Sequence, residues 1–219
     1  MTLLGVVLAL FGPLVLAAVS ERLSRGPARL GESLVGQALL VAITAAVLWI
    51  ALHVDGLSLE ALGLGLLRWQ SLAWGAALAL FFIRVYGPAQ HLVLKRLRLR
   101  GFEGGLAKLA GLPIWYLTLA VLVGGTAEEI LYRGYAIGRL EMLTGSLWLA
   151  ALLPLAVFAL AHIPLWGPAP ALSTFFAGGI FTLFYLWQRD LAPNVIAHVA
   201  TDFVGIVLAR KAATTIRAA

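Results

Sequence analysis

The sequence predicts an all-α polytopic membrane protein, a bundle of seven or eight transmembrane helices enclosing a polar site inside the membrane. Three observations carry that expectation. Hydrophobic residues make up 62% of the 219 positions and charged ones 12%, against roughly 45–50% and about 25% in ordinary globular domains. Apolar runs long enough to cross about 30 Å of hydrocarbon recur along the whole chain. Three of those runs contain ionisable residues at helical spacing, which lipid does not tolerate as scattered orphans.

The first run, 2–19, has no basic residue ahead of its apolar core, so it reads as an anchor rather than a cleavable signal peptide. Spans at 34–53 and 70–90 follow, joined by "DGLSLEALGLGLLRW" (55–69), which reads as a connector lying on the membrane surface. The fourth run, 113–139, is about 27 residues and would measure roughly 40 Å as an α-helix. It is either one tilted helix or a shorter span hinged at Gly124-Gly125 onto a second helix. Runs at 146–164, 170–187 and 191–209 complete the set. No linker-like stretch interrupts the chain, so residues 1–219 read as a single transmembrane domain.

Tryptophans and charges orient the bundle. All seven tryptophans (49, 69, 74, 115, 148, 166 and 187) fall near the ends of the runs, as interfacial aromatic belts do. Basic residues gather in alternate loops: Arg22, Arg25 and Arg29; then Lys95, Arg96, Arg98, Arg100 and Lys108; then Arg210, Lys211 and Arg217. With seven spans, the positive-inside rule puts the N-terminus outside and the C-terminus in the cytoplasm. The net charge of +6 is thus explained by loops and implies no nucleic-acid partner. The absence of cysteine excludes disulfides, thiolate catalysis and cysteine metal sites. Arg84 reads as a residue snorkelling from its span end, and His53 and His91 as boundary residues.

The remaining ionisable residues lie within apolar runs. Glu129 and Arg133 are i,i+4 neighbours in the favourable acid-before-base order, which leaves Glu128 about 100° round the helix without an obvious local partner. Phe158 and His162 in "FALAH", and His198 and Asp202 in "HVATD", repeat the i,i+4 spacing on two other helices. A site inside the bundle lined by Glu128, His162, His198 and Asp202 would satisfy all of them together. Read from the residues alone, such a set serves a hydrolase, a metal site, or a proton relay in a transporter. No H-E-x-x-H is present and no helix carries two histidines at i,i+4, so a membrane metalloprotease has little support. Gly124-Gly125 and Gly178-Gly179 are either helix breaks, as in transporters, or close-packing positions.

The ordered trio "EEILYR" (128–133), "FALAH" (158–162) and "HVATD" (198–202) resembles the motifs of the CAAX-processing and bacteriocin-processing (CPBP, or ABI) family of intramembrane glutamic endopeptidases. The resemblance covers roughly 113–209 and leaves the first three spans without a motif. It implies a peptidase needing no metal or other cofactor, with Glu128 as general base on a water, His162 assisting, and His198 and Asp202 near the tetrahedral oxyanion. Glu129, Arg133 and Phe158 would be supports. Many relatives have asparagine where Asp202 stands. An ionised aspartate only accepts hydrogen bonds, so Asp202 is expected either to be protonated or to orient His198, the commoner arrangement. The substrate implied is a membrane-associated protein or peptide; the Ala/Leu/Gly-rich composition points to a bacterial cytoplasmic membrane, and so to leader processing or cleavage of a membrane-anchored tail. A non-catalytic transporter or immunity protein is the reading left if no bond is cut.

Overall fold

The computed structural model describes residues 2–23 and 26–209, and every regular element among them is helical. Eight helices follow one another: α1 (Thr2–Leu23), α2 (Leu30–Val54), α3 (Trp69–Arg96), α4 (Glu103–Leu109), α5 (Ile114–Thr144), α6 (Leu147–Trp166), α7 (Pro168–Gln188) and α8 (Ala192–Leu208). All seven predicted runs are therefore helices. Six of them, α1, α2, α3, α5, α6 and α7, are long and apolar enough to cross a membrane. This is a multi-pass integral membrane protein.

The seventh run forms a helix from Ala192, one residue after its predicted start, and that start is anchored in the fold. Leu191 is fully buried, and its N–H donates to the carbonyl of Gly63 at 2.9 Å. Asp190 accepts from the Ala192 N–H at 2.9 Å and from the Ser71 hydroxyl at 2.5 Å. The first turn of α8 is thus tied into the bundle against α3 and the 55–68 connector. That connector is more than a surface strap, since Leu62 is wholly buried and Gly63 takes a left-handed φ of 74° to turn its carbonyl towards Leu191.

Among the candidate spans α5 is the most enclosed, with 44% of its most apolar window buried against 22–39% in the others. It runs unbroken for 31 residues, about 46 Å at 1.5 Å per residue, and no hinge forms at Gly124-Gly125. Instead the backbone widens to i→i+5 hydrogen bonding over Glu129–Ile137, and all nine of those residues are buried. Such π-type turns cluster at functional sites. Gly125 serves close approach: a Cβ there would come within 3.1 Å of Val199 and 3.5 Å of the His198 ring on α8. Helix α8 packs against α3 and α5, and α6 packs against α1 and α7. The outward faces carry leucine, valine and phenylalanine, the surface that lipid solvates.

The short helix α4 crosses one end of the bundle. The Phe102 ring meets Trp166 edge-on at 5.5 Å, and Lys108 pairs with Glu21 at the end of α1. Trp166 is therefore packed under α4, while the other six tryptophans are exposed. Arg22, Arg29, Lys95, Arg96, Arg98, Arg100 and Lys108 all lie towards this end; Arg68, Arg139 and Arg189 lie towards the other. Arg25, Arg210, Lys211 and Arg217 fall outside the described residues. Arg84, His53 and His91 are exposed and away from the site.

Candidate active site

Helices α5, α6 and α8 bring the three motifs together around one imidazole. On α5, Glu129 is wholly buried. Its Oε1 accepts from Arg133 Nη1 at 3.0 Å and from His198 Nδ1 at 2.8 Å. Its Oε2 accepts from Asn194 Nδ2 at 3.1 Å. The expected i,i+4 pair is present, but Glu129 also holds two residues of α8. Taking one carboxylate out of water requires this number of donors.

Arg133 is as enclosed as its partner, 1% exposed. Its second amino group donates to the carbonyl of Gly178 at 3.2 Å, and its guanidinium lies 4.4 Å from the centre of the Phe158 ring. The fork and the flat cation–π face are both used, which a lysine could not reproduce. A side chain at position 178 would obstruct this, because a Cβ would sit 3.0 Å from Arg133 Nη2, 3.0 Å from Phe158 and 2.8 Å from Leu155. The Gly178-Gly179 pair is therefore a packing feature within a continuous α7.

The far side of His198 differs. Its Nε2 lies 3.6 Å from Glu128 Oε2 and 3.6 Å from Asp202 Oδ2. The orientation of the ring comes from Glu129 through Nδ1; Asp202 faces the other nitrogen, beyond direct hydrogen-bond distance. With Nδ1 committed as a donor to a carboxylate, Nε2 accepts in the neutral ring and donates only in the doubly protonated one. Phe181 stacks on the ring with centroids 5.4 Å apart and planes at 24°.

His162 is fixed in a comparable way. Its Nδ1 donates to the carbonyl of Phe158, one turn earlier, at 2.8 Å. A carbonyl can only accept, so the neutral ring keeps its Nε2 lone pair free. Phe158 packs edge-on against both imidazoles, 4.7 Å from His162 and 6.2 Å from His198.

Glu128, His162, His198 and Asp202 all line one cavity of about 490 Å³, walled otherwise by apolar side chains such as Phe82, Leu117, Val121 and Phe181. It reaches the basic end of the bundle, where Phe102 and Leu106 beside and on α4, together with Trp166, form its wall. A second cavity of about 570 Å³, between α1, α2 and α6, shares Glu128 and His162 with the first. Among the described residues, no group of three or more histidine, aspartate and glutamate side chains is arranged to hold a metal ion.

Sequence reasoning missed Asn194, Phe181 and the Gly178 carbonyl. Asn194 had a signal: positions 194, 198 and 202 form one i,i+4,i+8 stripe, and extending "HVATD" by one turn would have found it. A backbone carbonyl and an aromatic ring in an apolar run carry no such mark.

Residues 110–204 match the family model for Type II CAAX prenyl endopeptidase Rce1-like proteins. The matched segment contains all three motifs and excludes α1, α2 and α3. Among curated proteins and solved structures, nothing significantly similar was found.

Proposed function

The chain carries an Rce1-like CAAX prenyl endopeptidase domain, hence a peptidase of the membrane, and from that premise we propose that it hydrolyses a peptide bond in a membrane-anchored or leader-bearing polypeptide with a water activated by Glu128 and His162. One observation carries this reading. Glu128 and His162 share the wall of a cavity, and the protein ties down the Nδ1 of both histidines so that each Nε2 is left for chemistry.

The steps balance without a further reactant. The Glu128 carboxylate takes a proton from water while the water oxygen attacks the scissile carbonyl carbon. His162 Nε2 accepts the water's second hydrogen bond and aims its lone pair. A base positioned on the attacking water contributes about 10²–10⁴-fold. The tetrahedral oxyanion forms beside His198, whose doubly protonated ring donates from Nε2. The C–N bond then breaks as Glu128 passes its proton to the departing amine. Asp202, across from Glu128, flanks the same nitrogen. Glu129, Arg133 and Asn194 hold His198 rather than touching substrate.

The apolar wall suits a substrate with a greasy tail, and the cavity's reach to the basic end supports attack from the cytoplasmic side, with the N-terminus outside. The test compares protein termini in membranes and medium from cells carrying wild type or Glu128→Gln. Uncut precursors accumulating only with the variant would establish proteolysis and reveal the side of the membrane. Identical termini, with the variant equally abundant, would rule the reading out.

A further inference from the structure

We propose that Gln37, on α2 and outside the family-matched segment, is a substrate-positioning residue that binds the backbone of the polypeptide where it passes the catalytic pair; the inference rests on the peptidase reading above. Gln37 is the one amide side chain in the apolar stretch "LVGQALLVAIT" (34–44). A polar group at this depth in a membrane helix costs free energy and by default has a task.

Its place in the fold says what the task is. Gln37 lines both cavities, and the two cavities have Glu128 and His162 in common. Gln37 belongs to the wall that the two cavities share, together with the base, so a chain threaded from one cavity to the other runs past both. The face of α2 that carries Gln37 is held firmly, since one turn earlier the Ser33 carbonyl accepts from the Tyr116 hydroxyl of α5 at 2.9 Å.

Its hydrogen bonding is incomplete. The Gln37 amide nitrogen is shielded from solvent and, among the described residues, is one of the few buried side-chain nitrogens and oxygens without a hydrogen-bond partner. Natural folds seldom leave such a donor unmade unless something else completes it. A side-chain amide offers N–H donors and a carbonyl acceptor in one plane, the complement of a peptide group. An extended backbone would supply the missing acceptor, and would do so independently of side-chain identity.

Gln37→Leu keeps the shape and removes both polar atoms, whereas Gln37→Asn keeps the amide on a shorter stem. The probe is a synthetic peptide spanning the cleavage site of a precursor that accumulates in Glu128→Gln cells. With purified protein, Gln37→Leu should raise KM about tenfold, the equivalent of one hydrogen bond, with a smaller change in kcat. Gln37→Asn should recover part of that loss. The melting temperature of Gln37→Leu should equal or exceed that of wild type, because an unpaired buried amide has been removed.

The outcomes separate cleanly. If Glu128→Gln accumulates precursors but Gln37→Leu cleaves with wild-type KM, the role of Gln37 is refuted while the peptidase reading stands. If Gln37→Leu melts lower in proportion to its lost activity, the amide is structural and the proposal fails. If Glu128→Gln accumulates nothing, the peptidase reading falls and takes this inference with it.

Discussion

The two sides of His198 are built from the same residue types and behave oppositely. On the Nδ1 side, Glu129 is 0% exposed and holds three donors within 3.1 Å. On the Nε2 side, Glu128 is 22% exposed and Asp202 38%, each 3.6 Å away, with a cavity in front of them. Adjacent glutamates on one helix thus stand in different settings, one sealed in a hydrogen-bonded network and one open to a cavity. Burial and partner number separate them: Glu129 is closed off from water and engaged by three donors, whereas Glu128 faces a cavity.

The sharpest way to break this division is to neutralise the exposed glutamate. Glu128→Gln should lower cleavage by about 10²–10⁴-fold, the range for loss of a general base, with folded yield unchanged. Removing the cation on the sealed side should do the reverse in kind. Arg133→Ala leaves Glu129 buried without its counter-charge and should cost about 3–5 kcal/mol of stability, read as a fall in melting temperature and in folded yield. Should Arg133→Ala melt like wild type and lose only activity, the sealed side would belong to the chemistry and the division would collapse.

A smaller effect is expected at Asp202. Since Glu129 already orients the imidazole, Asp202→Asn should keep cleavage within about tenfold of wild type, a change on the scale of one hydrogen bond. Its amide can donate where the carboxylate only accepts. A loss as deep as that of Glu128→Gln, measured on the same precursor, would make the Asp202 charge essential to the reaction.

The division was half legible in the sequence. Glu128, His162, His198 and Asp202 could be grouped because ionisable residues in lipid must meet one another, and the cavity contains all four. The seven runs were legible because apolar length is a strong signal. What could not be seen was reach across the bundle. Spacing on α5 pairs Glu129 with Arg133, but only the three-dimensional packing brings Nδ1 of His198 and Nδ2 of Asn194 to the same carboxylate. The anchoring of α8 was hidden for the same reason, since its start is tied to Gly63 and Ser71, more than a hundred residues earlier. The connector looked like a surface strap because nothing in its spacing marks Leu62 for burial over its neighbouring leucines, several of which are exposed.

The finest test lies in the two adjacent glycines of α7, which look alike in sequence. At Gly178 a methyl group would press on Leu155, Arg133 and Phe158, each at 3.0 Å or less, while at Gly179 it would meet only Leu155 Cδ2 at 3.8 Å. Gly178→Ala should therefore destabilise by about 1–3 kcal/mol through overpacking, and should loosen His198 indirectly, since Arg133 would shift from the Gly178 carbonyl and from Glu129. Gly179→Ala should stay within about 0.5 kcal/mol of wild type. Melting curves of the two variants in one detergent give the comparison directly. Equal destabilisation would mean that α7 responds to helix propensity or lipid contact rather than to the sealed network, and Arg133 would then have room that the packing denies it.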